Sequence, residues 1–227
     1  MPVPPSPFDA PFQGVLLDLD GTLVDSIAAV ERSWIQWCGE FGVDPMLLVG
    51  MHGVTAANVI EGLLPPEVRE EAHLRIREIE VADVEDIVVL PGAAELLRAL
   101  ADASVPTAIV TSGTRDLAEA RIAATGLVHP PVVVTASDVE RGKPWPDPWL
   151  LGARLLGVDP RQCIVVEDSM AGLRAARDAG CRGLVAVTST TAPAELATLA
   201  GLVVPDLSHL PTEVGAGVLR VVVGAGV

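Results

Sequence analysis

Apolar residues recur along this chain in two rhythms. From Ile27 they fall three and four apart, at Ile27, Val30, Trp34, Trp37 and Phe41, with Gly42 as a stop, which predicts an amphipathic helix. A second helical stretch covers 55–63, and Pro65-Pro66 opens a third, charged one, PPEVREEAHLRIREIEVADVED. Together they predict an all-helical block from Ile27 to about Val88. Outside that block the rhythm changes to short Val- and Ile-rich runs. One run, Val15 to Leu17, precedes the block. After Leu90-Pro91-Gly92 such runs alternate with helical segments: helix 93–102, strand 106–110, helix 114–125, strand 132–135, helix 146–156, strand 163–166, helix 169–179, strand 183–187, helix 193–199 and strand 202–204.

Repeated β-α units imply a mostly parallel sheet with helices on both faces, and ligands of such sheets bind beyond the carboxyl ends of the strands. The predicted strands are apolar throughout, as burial on both faces requires. Residues 1–13, MPVPPSPFDAPFQ, are proline-rich and predict a poorly ordered tail. The glycine- and valine-rich end from Val214 reads equally as an edge strand or a loose tail.

With 227 residues, half of them hydrophobic, the chain suffices for one sizeable core with a smaller insert. A formal charge of −15 argues against general affinity for nucleic acid or an anionic membrane, so an anionic substrate needs local cations or a metal. Cys38, Cys163 and Cys181 lie far apart without CxxC spacing, which fits buried thiols in a reducing compartment. No signal-peptide pattern or membrane-length apolar run is evident, so a soluble cytoplasmic protein is expected; a monomer is the expectation and a dimer the alternative.

Four predicted strand ends carry residues that a sheet does not need. GVLLDLDGTLVDS ends its apolar run in Asp18 and Asp20, which project to one side of an extended segment before Gly21 turns the chain. Such a pair can bind a hard cation, or one carboxylate can attack while the other moves a proton. A bare DxD is more often only a polar turn, and the other strand ends give this one its weight. AIVTSGTRD places Thr111, Ser112 and Gly113 ahead of a helix N-terminus, either an anion cradle or an ordinary cap at Thr114. RGKPWPDPWL holds Lys143 between glycine and proline, a cation with little freedom to wander. CIVVEDSMAGL follows a buried strand with Glu167 and Asp168 and opens a helix at Ser169; these acids suit a helix dipole, and equally a magnesium site.

In that order the four motifs, DxDGT, a hydroxyl-bearing strand end, GKPxP and EDS with a following glycine, resemble the haloacid dehalogenase superfamily of aspartate-nucleophile phosphotransferases. LPGAAELL, VTSGTRD and GKPWPDPWL are similar to its sugar-phosphate and polyol-phosphate phosphatases, including glycerol-phosphate and 2-deoxyglucose-phosphate phosphatases. The resemblance implies an α/β fold: a Rossmann-like parallel-sheet core, 14–27 and 89–227, with an inserted α-helical cap, 28–88. It implies that Asp18 attacks phosphorus and that Asp20 protonates the leaving alcohol and then activates water. Mg2+ would be held by Asp18, the Asp20 carbonyl and Asp168, with Glu167 directly or through water. Lys143 and Ser112, with Thr111 and Gly113 alongside, would hold the phosphoryl group. In related enzymes the loop with His52, Gly53 and Thr55 faces the substrate, a small phosphorylated sugar or polyol. Trp34 and Trp37 are expected to pack the cap helix. Val54 departs from the basic or polar residue common after the HG pair. A sugar phosphomutase shares every core motif, but related mutases carry a cap arginine where Ala56 falls. A dehalogenase would not need Asp20 and Asp168, and a non-enzymatic module would have lost a catalytic residue.

Overall fold

The computed structural model describes residues 6–49 and 54–222. Six strands form one parallel sheet: β1 (Gly14–Leu17), β4 (Thr107–Val110), β5 (Val132–Val134), β6 (Cys163–Glu167), β7 (Gly183–Val187) and β8 (Leu202–Val204), in spatial order β5-β4-β1-β6-β7-β8. Successive side chains of a strand point to opposite faces. Val15 and Leu17 accordingly enter one hydrophobic core and Leu16 the other. Helices α4 (Ala93–Asp102), α5 (Arg115–Thr125), α6 (Asp147–Leu156), α7 (Met170–Asp178) and the short α8 (Pro193–Leu196) link the strands and cover both faces. The architecture is α/β and Rossmann-like. Because the chain runs outward from β1 through β4 to β5 and then returns to β6 on the other side, the crevice for ligands opens at the carboxyl end of β1.

Between β1 and β4 the chain builds the helical insert from α1 (Ile27–Phe41), α2 (Ala56–Leu63) and α3 (Pro66–Ala82). Gly42 ends α1 in a left-handed conformation and Pro66 begins α3, as their chemistry predicts. The three helices share a core of Trp37, Cys38, Ile60, Ala72, Ile76 and Ile79, with Trp37 Nε1 donating to the Ala72 carbonyl at 2.8 Å. A two-residue ladder, β2 (Val24–Asp25) against β3 (Val88–Val89), joins the two ends of the insert to the sheet domain, a pairing that sequence periodicity does not predict. Two residues per strand are too few to leave a period.

Residues 6–13 correct the expected flexible tail. Phe12 is fully buried, exchanges backbone hydrogen bonds with Leu219, and lies under the Arg182 guanidinium; Phe8 packs beside it. Proline marks this stretch as extended, and two aromatic rings are enough to hold an extended stretch on a core. Residues 212–221 form a hairpin, β9 (Thr212–Gly215) and β10 (Val218–Val221). Among the described residues no helix is long and apolar enough to cross a membrane.

Candidate active site

Strands β1, β4 and β6 are neighbours in register, Leu17 pairing with Ile109 on one side and Val166 on the other. Whatever follows them therefore converges. Asp18 arrives from β1, Thr111 and Ser112 from β4, Glu167 and Asp168 from β6. The loop before α6 inserts Lys143, which is 1% exposed. Its ammonium donates to Asp18 Oδ1 at 2.6 Å, Glu167 Oε1 at 2.8 Å and the Val110 carbonyl at 3.0 Å, and sits 4.5 Å from the Trp149 ring centre. Three acceptors occupy its three N–H bonds. Lys143 thus serves the Asp18 carboxylate directly.

Glu167 is committed as fully: Oε1 faces Lys143, while Oε2 accepts from Asp168 N, Ser169 N and Ser169 Oγ at 2.6–2.8 Å. Gly172 is what leaves room, because a Cβ there would overlap the Glu167 carboxylate. Glu167 thus braces both Lys143 and the turn into α7. Ligand atoms of Asp18, Glu167 and Asp168 lie within 4.8 Å of one another, all buried. Three carboxylates thus face one ammonium. Burial pushes Asp18 up to about 7 against the pull of Lys143, with Glu167 and Asp20 adding to the rise. Burial, then Glu167 and Asp18, raise Asp168 well above the carboxylate range, against the hydrogen bond from Thr190. Burial works against the Lys143 charge, yet Asp18 and Glu167 hold its pKa above the usual lysine value. An excess of buried negative charge with oxygen ligands converging fits a hard divalent cation, whose charge would return the acids to their ionised form.

Gly21 sets this spacing from the other side. Its φ of +79° is one that a side chain resists, and a Cβ there would overlap Asp168 Oδ2. Gly21→Ala is expected to lower stability by about 1–2 kcal/mol through the left-handed backbone alone, and to reduce turnover by displacing Asp168. Urea unfolding measures the first; an unchanged midpoint would show that the turn relaxes without strain.

Asp20 lies apart from the acidic trio in its contacts. Ser26 Oγ donates to its Oδ1 at 2.6 Å, and the Arg121 guanidinium, on α5, reaches its Oδ2 at 2.5 Å. Arg121 also faces Glu80, on α3 of the insert, at 3.6 Å. Burial raises Glu80 to about 7 while Arg121 pulls it down. Sequence reasoning missed Ser26, Glu80, Arg121 and Thr190. Two of them carried a usable signal: Arg121 falls four residues after Leu117, and Glu80 four after Ile76, each a charge on a buried helical stripe.

A cavity of about 500 Å³ separates the sheet domain from the insert, within the size range of small-molecule sites. Asp18, Asp20, Thr111, Ser112, Gly113 and Asp168 line its floor. Thr111 Oγ1 accepts from Gly113 N at 3.0 Å, so that amide closes a local turn and is not directed at an anion. The roof is largely apolar, including Val30, Trp34, Val54, Ala56 and Val59. Trp37 packs inside the insert and Trp34 packs against it, ring centres 5.2 Å apart, as expected, while Trp34 also lines the cavity. Thr55 also lines it, although its hydroxyl caps α2 by accepting from Asn58 N, and its methyl occupies the space that a Gly142 side chain would fill. His52 and Gly53 lie outside the described residues. Arg32 and Arg69 point elsewhere, onto Asp83 and onto the Leu64 and Glu61 carbonyls.

A family profile described as haloacid dehalogenase-like hydrolase matches residues 12–180. The chain belongs to that family, and with it to the enzymes. It is similar to hexitol phosphatase A of Escherichia coli, 44% identical over 81% of this chain and 85% of that one. Glycerol-1-phosphate phosphohydrolase 2 of Saccharomyces cerevisiae is 32% identical over 81% and 78%. Among solved structures, a putative β-phosphoglucomutase from Bacteroides vulgatus superposes with a TM-score of 0.73 at 25% identity, covering 86% of this chain and 84% of that one.

Proposed function

We propose that this chain is a Mg2+-dependent phosphatase of small phosphorylated sugars or polyols, acting through an aspartyl-phosphate on Asp18. The observation that carries the reading is the Asp18 carboxylate, held by Lys143 at the floor of the cavity with a second carboxylate, Asp20, on the same loop. In the first half-reaction an Asp18 oxygen bonds phosphorus as the bond to the alcohol oxygen breaks, and the departing oxygen takes the Asp20 proton. In the second, water gives a proton to Asp20, its oxygen bonds phosphorus, and Asp18 is released. Each proton that leaves Asp20 returns to it. Asp18, Asp168 and the Asp20 carbonyl would hold Mg2+, with Glu167 behind them; bound there, the ion neutralises charge on the phosphoryl oxygens. Phosphoryl transfer rests on positioning and charge stabilisation, so no strong base is required.

The named activities of the hexitol and glycerol-phosphate relatives support a sugar or polyol monophosphate as substrate. The competing reading, a phosphomutase, has a structural neighbour in its favour. A mutase must retain a bisphosphate while it turns over, which needs a cation on the roof. Ala56 stands where related mutases carry arginine, and Arg77, the cation lining the cavity among the described residues of the insert, is already paired with Asp116 at 2.6 Å. Incubation with β-glucose 1-phosphate and a trace of the 1,6-bisphosphate decides between them. Free phosphate is expected to accumulate; glucose 6-phosphate forming faster would make the chain a mutase.

A further inference from the structure

Arg121 is 4% exposed, and its two terminal nitrogens reach carboxylates on opposite sides of the cavity, Asp20 on the sheet domain and Glu80 on the insert. Burying a guanidinium is unfavourable unless its partners are fixed, and its planar fork imposes one geometry on them. Neither partner is needed to pack α5. Leu117 and Ala118 already bury that face.

Asp20 Oδ1 accepts from Ser26, whereas Oδ2 faces Arg121 at 2.5 Å and, more distantly, the Thr111 hydroxyl at 3.5 Å, and the two near donors differ in what they permit. A guanidinium only donates and does not lose its proton at working pH, whereas the Ser26 hydroxyl can turn from donor to acceptor. A proton can therefore sit on Oδ1, beside Ser26, and not on Oδ2, beside Arg121. We propose that Arg121 is a positioning residue that pins Asp20 Oδ2 so that Oδ1 carries the proton, and that Glu80 makes this alignment depend on the docked insert. The inference rests on Asp20 being the proton carrier of the proposed reaction. Two further contacts hold the insert in the same place, Arg77 to Asp116 at 2.6 Å and Asn58 Nδ2 to the Lys143 carbonyl at 3.5 Å. Through Glu80, Arg121 joins the insert's position to the proton-transfer group itself.

The test compares two esters. Sorbitol 6-phosphate has an alkoxide leaving group that needs a proton; p-nitrophenyl phosphate has one that departs without it. Arg121→Met is expected to lower kcat on the alkyl ester by about 100-fold, the usual scale of a proton-transfer contribution, while the first-turnover burst of p-nitrophenol changes by less than about threefold. Arg121→Lys, which keeps the charge but not the fork, should recover part of the loss, and Glu80→Gln should show the same split at smaller size. Equal losses on both esters in the first turnover, or none, would overturn the role of Arg121. If Arg121→Met does not fold, the split in Arg121→Lys decides. Asp20→Asn runs in parallel: full activity on the alkyl ester would overturn the proposed mechanism together with this inference, whereas an inactive Asp20→Asn beside an unaffected Arg121→Met would overturn the inference alone.

Discussion

Asp18→Asn is expected to reduce phosphate release by at least about 10^4-fold, the scale on which loss of a covalent nucleophile is felt. An amide of the same shape still offers an oxygen to Lys143, so the hydrogen bond at that ammonium has a partner. What it lacks is an electron pair able to attack phosphorus. The fold should not suffer. Asp18 is one of three clustered buried carboxylates, two of them paired with a single ammonium, and neutralising it removes its repulsion with the other two. Rapid-quench mass spectrometry of the wild type with substrate should detect a phosphorylated chain that the variant never forms. Retention of more than about a tenth of wild-type turnover, with the fold intact, would remove Asp18 from the mechanism.

Chelation should be as severe. EDTA is expected to abolish activity and Mg2+ to restore it, with Ca2+ binding but failing to support turnover, since a larger ion with more ligands misplaces the reacting groups. Stability provides a readout independent of turnover. A ligand present at a hundredfold above its Kd stabilises by about 2.7 kcal/mol, which for a chain of this length corresponds to a rise in Tm of roughly 5–10 °C. Asp168→Asn should lose that rise. In EDTA the same variant should melt above the wild type, because a buried carboxylate crowded by Glu167 and Asp18 has become neutral. A chelated wild type that kept full activity, or an Asp168→Asn that kept the Mg2+ shift, would place the metal elsewhere or nowhere.

Much of this was legible before any coordinates. A strand in the middle of a parallel sheet is apolar on both faces, so Asp18 after Val15 to Leu17, and Glu167-Asp168 after a Val- and Ile-rich run, stand out as residues the sheet does not use. Helix ends are local too: Gly42 stops α1 and Pro66 opens α3 where they stand. The same holds for the order of strands and helices, because hydrophobic period is a property of neighbouring residues. Partnerships are not. That Lys143 spends all its donors on Asp18, Glu167 and Val110, that Phe12 closes the core against Leu219, and that Arg121 joins Asp20 to Glu80 depend on segments far apart in the chain meeting in three dimensions. A charge on a buried helical face announces that a partner exists. Its identity is decided only when tertiary packing removes water from that charge and leaves a carboxylate within reach.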